Sequence, residues 1–248
     1  MFFVGHISIA FILGYFIITR FRLYDISLSL VLFLSILPDV DILFRFIGID
    51  IDHRSVTHSL IVITIILCVF LLKYRRPSII VYCTAYLSHV AIGDLIVGPL
   101  NLLYPFGISY VSTVINFKTS EHIFVEVILL ALMSTIIIGR YLCDRIRKNR
   151  FPIGYSKKLD PIFYPLVILA IIVSPVFLLD ESQKELSEFP NSFFSLFQSY
   201  NDFNTMAILA LHIVSVVMVI FLWIVTRRNI YFRYPRHAKR KQHSQHKL

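Results

Sequence analysis

The sequence predicts an all-α fold, a polytopic transmembrane helical bundle with about seven spans. Of its 248 residues 57% are hydrophobic and only 16% are charged, and the mean hydropathy is +0.75. A soluble domain carries roughly 25% charged residues, so this composition indicates a membrane protein. The apolar segments are also long enough to cross a bilayer, which takes about 20 residues of helix.

Seven apolar segments follow one another along the chain. They lie at roughly 3–19, 26–44, 58–72, 78–100, 123–139, 162–179 and 206–226. Pro38 and two acidic residues interrupt the second segment after a dozen apolar residues. The first segment has neither the basic region nor the small-residue cleavage site of a signal peptide, so we expect it to stay in the mature protein.

Lysine and arginine residues are sorted between the two sides of these segments. All but four of the 24 lie in alternate connections or in the tail, and the exceptions are Arg45, Arg54, Lys118 and Lys184. Because basic residues accumulate on the cytoplasmic side, we expect the N-terminus outside and the C-terminus in the cytoplasm. The chain then divides into a transmembrane domain, residues 1–230, and a basic cytoplasmic tail, residues 231–248.

The net charge of +9 has a simple explanation in the basic cytoplasmic tail. A basic tail beside a membrane meets anionic lipid head groups, and this tail contains no folded nucleic-acid-binding module. We therefore expect membrane lipids as partners and no nucleic acid. Cys68, Cys83 and Cys143 show no paired spacing, so they give no sign of a disulfide framework or a thiolate metal site.

Acidic residues and histidines interrupt the apolar segments within residues 1–126, and they predict a metal site. Insertion of an unpaired Asp at membrane depth costs at least about 2.5 kcal/mol on insertion scales. A membrane protein that keeps several such residues is therefore expected to use them in a functional site. Imidazole nitrogens and carboxylate oxygens are ligands of zinc and similar divalent ions. With the predicted topology these motifs all fall in the outer half of the membrane. The candidate metal ligands are His6, Asp39, Asp41, His53, His58, His89 and Asp94.

Three further residues are candidates for catalysis. Arg54 is suited to hold an anionic substrate oxygen, because its guanidinium has a fixed fork of donors. Glu121 and Glu126 are candidates for a general base or for orienting a ligand histidine. Structural roles stay open, with Arg54 in an ion pair with a neighbouring acid and Glu126 as a partner of Asp94.

The order of these motifs resembles a known family, the membrane-bound metal-dependent hydrolases, also described as LexA-binding, inner-membrane-associated hydrolases. The resemblance covers about the first 126 residues, and its most specific part is the HRxxTHS string. The matching residues are His6, Leu37 to Asp41, His53 to Ser59, Ser88 to Asp94, Gly98 and Leu103 to Phe106.

This resemblance implies a multi-pass protein of the plasma (inner) membrane that uses a divalent metal, with zinc as the expected ion. The family is in turn similar to the zinc-dependent phospholipase C and single-strand nuclease group. That more distant likeness implies hydrolysis of phosphate esters, and a lipid or lipid-linked phosphoester is the expected substrate. Two alternatives stay open from the residues themselves. They are a proton- or metal-coupled transporter and a non-catalytic membrane protein with a structural metal site.

The fourth segment departs from the family pattern in one respect. The family usually has the histidine four residues before the aspartate, whereas His89 and Asp94 are five residues apart. On a regular helix five residues separate two side chains by about 140° around the axis. We therefore predict a π-type widening between Val90 and Pro99, made easier by Gly93, that turns both side chains inward.

Overall fold

The computed structural model is a bundle of seven α-helices over the residues that it describes. These residues are 1–21, 23, 26–40, 56–74, 78–97, 99–100, 102–106, 110–111, 114–115, 119–147, 159–180 and 203–245. The helices are α1 Phe3–Arg20, α2 Leu28–Ile36, α3 Leu60–Tyr74, α4 Ser78–Ser88, α5 Ser120–Arg147, α6 Asp160–Asp180 and α7 Phe203–Gln245. The predicted all-α class is confirmed, and these helices follow the seven predicted apolar segments in order.

Two short helical segments of other geometry extend two of these helices. A 3-10 turn, Leu37–Val40, continues α2. A π-helical segment, His89–Asp94, continues α4. Beyond it the strands β1 Pro99–Leu100 and β2 Tyr110–Val111 make one short antiparallel pair, with Pro99 opposite Val111.

Helix α1 lies at the centre of the bundle. It packs against α2, α4 and α5, while α6 packs against α2 and α7. Val4, Phe11 and Ile18 of α1 are buried in a core shared with these helices. The first helix of the chain is therefore the one that the other helices enclose.

Three helical segments are long and apolar enough to cross a membrane by length and composition: Phe3–Arg20, Ser120–Cys143 and Met206–Arg227. The other apolar helices are shorter, at Leu28–Asp39, Leu60–Val69, Ile79–Asp94 and Asp160–Pro175. Large apolar side chains such as Leu72 and Phe124 are exposed, as expected for surfaces that face lipid. The structure thus supports a helical membrane protein, while seven crossings and their direction stay predictions.

Candidate metal centre

Four predicted ligands meet in one buried cluster, which we call the tetrad: Asp39, His58, His89 and Asp94. Asp39 lies in the 3-10 turn after α2, and His58 lies two residues before α3. His89 and Asp94 are the first and last residues of the π segment. Four side chains from three separate parts of the chain therefore converge on one buried site.

The distances from each histidine nitrogen of the tetrad to the other nitrogen and to the two carboxylate oxygens fit those around a tetrahedral metal ion, and all four ligand atoms lie within 4.8 Å of one another. Ligand atoms about 2.0–2.1 Å from such an ion lie about 3.3 Å from one another. The Nε2 atoms of His58 and His89 are 3.1 Å apart. Each of these nitrogens lies 3.3 Å from Asp39 Oδ1 and 3.0 Å from Asp94 Oδ2. Donor atoms of the right types are thus already at ligand spacing.

Charge and burial also fit a divalent ion. The exposed fraction is 6% for Asp39, 1% for Asp94 and 0% for both histidines. Two buried carboxylates carry two negative charges, which are unfavourable without compensation in a low-dielectric interior. A divalent cation balances them while both histidines stay neutral, which is the form in which imidazole binds metals.

The π segment is what brings Asp94 to the tetrad. Leu95 N–H bonds to the carbonyl of Val90, five residues earlier, instead of four. The extra residue in this turn cancels the offset that a five-residue interval would give on a regular helix. The predicted widening of the helix is confirmed, and both His89 and Asp94 are turned inward.

The backbone of α2 fixes the ring of His89. His89 Nδ1 donates to the Ser35 carbonyl oxygen at 2.6 Å. A carbonyl only accepts, so the proton is on Nδ1 and the neutral ring presents a lone pair at Nε2 to the tetrad. In a 3-10 turn the N–H of residue 38 would bond to this carbonyl, but Pro38 has no N–H. Pro38 thereby leaves the Ser35 carbonyl to His89.

His58 is held by its neighbours on the approach to α3. Its Nδ1 lies 3.0 Å from Thr57 Oγ1, and the Thr57 carbonyl accepts a hydrogen bond from Tyr86 of α4 at 3.2 Å. Ser59 Oγ accepts from Ile61 N at 3.2 Å and donates to the Tyr104 carbonyl at 3.0 Å. These contacts join the start of α3 to α4 and to the loop at 102–106.

His6 lies beside the tetrad, on α1. Its ring stacks on that of His89, with centroids 3.6 Å apart. Its Nε2 is 3.6 Å from Asp94 Oδ1 and 4.0 Å from Asp39 Oδ2, which is too long for hydrogen bonds. Asp94 Oδ1 is also 3.1 Å from the Met1 amino nitrogen. Neither nitrogen of this fully buried ring has a hydrogen-bond partner among the described residues.

Gly93 makes room for the His6 ring. A Cβ at residue 93 would overlap His6 Cε1 and Nδ1. Gly93 lies within the π segment, so the same glycine allows the widened turn and the close approach of α1. The sequence singled out Gly93 for the first role only, because nothing in the chain pattern shows that His6 packs against it.

Of the other predicted site residues, the two that the structure describes, Glu121 and Glu126, lie outside the tetrad. Glu121 is exposed at the start of α5. Glu126 is buried, but it bonds to the backbone N–H of Phe2, with Oε1 2.9 Å from that nitrogen. The remaining three, Asp41, His53 and Arg54, lie outside the described residues.

His122 and His212, which were not among the predicted site residues, lie near Glu126 or near its partner Phe2. His122 Nε2 lies 3.2 Å from Glu126 Oε1, one turn away on α5. The rings of His122 and His212 lie 4.4 Å and 6.0 Å from that of Phe2. The four-residue spacing of His122 and Glu126 signals a pair on one face of a helix, whereas no local pattern links His212 to them.

The apolar helices and the buried tetrad together define a polytopic helical membrane protein with a possible metal-binding site. Residues 1–178 match the family described as the YdjM inner membrane protein, and the chain belongs to that family. The match extends beyond the 126 residues of the sequence resemblance and confirms the predicted inner-membrane location. No curated protein and no solved structure matches the chain.

Proposed function

We propose that this YdjM-family protein is a membrane-embedded, metal-dependent hydrolase that acts on phosphate esters or lipid-linked substrates. The observation that carries the proposal is the tetrad, four buried donors at the mutual spacing of metal ligands. We further propose, from the sorting of basic residues, that the site lies in the outer half of the membrane. Zinc suits a set of imidazole nitrogens and carboxylate oxygens.

Each residue of the proposed site has a defined role in hydrolysis. A divalent ion supplies a Lewis acid that activates water at neutral pH and polarises the scissile oxygen. His58 and His89 present lone pairs in fixed directions, because their other ring nitrogens are bonded to Thr57 and to the Ser35 carbonyl. The aspartates balance the charge of the ion, and Arg54 is proposed to bind an anionic oxygen of the substrate.

His6 distinguishes a working site from a purely structural one. A structural zinc site is closed by four ligands, and the tetrad alone would close it. His6 adds a fifth potential ligand, and a third imidazole, beside both aspartates; it is fully buried, with neither nitrogen hydrogen-bonded among the described residues. An unsatisfied buried polar ring is unfavourable by about 1–3 kcal/mol. A metal ion would satisfy one nitrogen of this ring and remove the penalty. The buried His6 ring therefore favours a site with more than four ligand positions.

A structural metal site is the second candidate function, and the four-donor shell is the observation that favours it. It predicts that the purified protein binds an ion tightly and stoichiometrically, loses stability on chelation and hydrolyses nothing. Hydrolysis therefore separates the two candidates, whereas metal content alone supports both.

Metal analysis and activity assays on the full-length protein in detergent test the proposal. We expect a bound divalent ion in the wild type and its loss in His58→Ala and His89→Ala. Removal of an outer partner of a ligand lowers metal affinity about 10- to 100-fold, and removal of the ligand itself should lower it at least as much. Activity on bis(p-nitrophenyl) phosphate and on a lipid phosphate in mixed micelles should fall with the ion. His237→Ala, in the basic tail, is the matched control and should keep both.

Three outcomes would contradict this function. A wild type that binds neither zinc, cobalt nor manganese would remove the metal site altogether. A stoichiometric ion without turnover of any phosphoester would leave the structural site as the function. Uptake of the ion into sealed proteoliposomes would instead identify a transporter.

A further inference from the structure

A second polar cluster lies next to the tetrad and is not part of it. Its centre is Glu126 of α5, which is fully buried. Glu126 Oε1 accepts a hydrogen bond from the Phe2 backbone N–H at 2.9 Å and lies 3.2 Å from His122 Nε2. A carboxylate buried among apolar helices is unfavourable unless hydrogen bonds or nearby charges compensate it.

These two hydrogen-bonding groups belong to Phe2, the residue before α1, and to His122, a neighbour on α5 itself. Phe2 is the residue that caps α1, and its side chain makes no capping hydrogen bond. A carboxylate at this end of a helix is favourable, because the first N–H groups lack partners within the helix and carry partial positive charge. Glu126 therefore supplies from a distant helix the capping interaction that α1 does not supply for itself.

Gly5 brings the carboxylate group close to α1 at a second point. A Cβ on Gly5 would lie 2.6 Å from both oxygens of Glu126. The Gly5 and His6 N–H groups bond to the Phe2 carbonyl at 3.0 Å and 3.3 Å. Glu126 thus holds Phe2 and Gly5 in one turn of helix, and His6 is the next residue.

His6 has little freedom where it lies. Its ring is confined between Gly93, where a Cβ would overlap it, and His89, whose ring is 3.6 Å away. One residue of helical rotation is about 100° and one residue of rise is 1.5 Å. A shift of the first turn of α1 by even part of a residue would therefore change the distances from His6 Nε2 to both aspartates.

We propose that Glu126 is a positioning residue that sets the placement of His6 at the metal site by holding the first turn of α1. This inference rests on the proposed function, because the placement of His6 is expected to change the affinity for the metal ion. It gives a specific form to one of the two roles predicted for Glu126, that of orienting a ligand histidine, because Glu126 would act on His6 through the backbone of α1. The Gln side chain keeps the acceptor oxygen, so Glu126→Gln retains the contact and Glu126→Ala removes it.

The first experiment measures the first turn of α1 without any metal. Amide hydrogen–deuterium exchange is followed in full-length protein in detergent, in a peptide covering Phe2–Ile7. Exchange should rise in Glu126→Ala and in Gly5→Ala, whose added Cβ displaces the carboxylate. It should stay near the wild-type rate in Glu126→Gln and in Gly139→Ala, a control on α5 where a Cβ meets nothing within 4 Å.

The second experiment is a double-mutant cycle on cobalt affinity. His6→Ala and Glu126→Ala should each weaken binding by about tenfold or more, as lost support of a ligand does. The double variant should be no weaker than His6→Ala alone, because residues that act through one group are not additive. Glu126→Gln should restore most of the affinity, which a general loss of packing would not predict.

The outcomes separate this inference from the proposed function. Unchanged exchange in Glu126→Ala overturns the positioning role, whatever the metal does. Raised exchange with additive losses in the cycle also overturns it, since Glu126 would then act independently of His6. A wild type that binds no cobalt overturns the metal site, and the exchange data alone then decide whether Glu126 holds the first turn.

Discussion

At the scale of single residues, the candidate site depends on groups that carry no chemistry of their own. Gly93 admits the His6 ring, and Pro38 leaves a backbone carbonyl to His89. Gly93 acts because it has no Cβ, and Pro38 acts because it has no backbone N–H. Any other residue restores the missing atom, whatever its polarity. Substitutions at these two positions therefore test the geometry of the site without removing a donor.

We expect Gly93→Ala to disrupt the site. The new Cβ overlaps two atoms of the His6 ring, so the ring must move or α1 must shift. Metal affinity should fall by about 10- to 100-fold, the effect of disturbing the support of a ligand. Isothermal titration with zinc measures the change. Gly139→Ala is the control, and equal affinities in the two variants would show that His6 does not contribute.

We expect Pro38→Ala to weaken the hold on His89. The alanine restores an N–H that competes for the Ser35 carbonyl, so His89 Nδ1 loses part of its hydrogen bond. Ser35→Ala is the matched control, because it removes a hydroxyl that donates to the Leu32 carbonyl and keeps the Ser35 carbonyl in place. Zinc affinity should fall in the first variant and not in the second. An equal fall in both would refute the role assigned to the proline.

These positions also show what the sequence could predict and what it could not. The five-residue interval between His89 and Asp94, together with Gly93, was enough to predict the π segment. The partners of His6 and Glu126 were not predictable, because they join residues about 90 to 120 positions apart through a glycine surface and a backbone N–H. Such contacts leave no periodicity and no motif in the chain.

At the scale of elements, the π segment compensates for one inserted residue. Deleting Ala91, an exposed residue within it, leaves His89 and Asp94 four residues apart. A regular helix then places both side chains on one face. We expect this variant to bind zinc about as well as the wild type, as judged by titration and metal content.

Adding a residue at the same place should have the opposite effect. An alanine inserted after Ala91 widens the interval to six residues, which turns the two side chains about 120° apart on a regular helix. Zinc should no longer bind stoichiometrically. Loss of zinc in the deletion variant as well would mean that the π geometry itself, and not only the shared face, is required.

At the scale of the whole molecule, the sorting of basic residues predicts which way the bundle faces. A tag at the C-terminus and a tag between α5 and α6 should both report the cytoplasm. A tag between α6 and α7 should report the outside. Protease accessibility and reporter fusions measure these locations. A connection between α6 and α7 that faces the cytoplasm would invert the topology and move the candidate site to the inner half.

The order of helices was more predictable than the site, because hydropathy alone marks the segments that a bilayer accepts. Each predicted apolar segment has its helix in the bundle. Their central element was not predictable: the way α1 packs against α2, α4 and α5 depends on side-chain shapes that hydropathy does not describe. The position of His6 next to the tetrad follows from that packing.

The ion should affect the stability of the fold and not only the activity. A ligand that binds only the folded state stabilises it by about 4 kcal/mol when its free concentration is about 1,000 times its Kd. We expect a chelator to lower the melting temperature of the wild type in detergent and zinc to restore it. His58→Ala should melt at the lower temperature and respond to neither. Equal melting curves for the wild type with and without chelator would contradict this expectation.

The tetrad draws its ligands from three places far apart in the chain: the end of α2, the approach to α3 and the π segment after α4. An ion held there is a removable cross-link between them, and the unfolded chain has no such site. The quantity of folded protein in the membrane then depends on how much ion the cell supplies. Starvation for that metal would then lower the amount of folded protein, because the unlinked form is the one that proteases degrade.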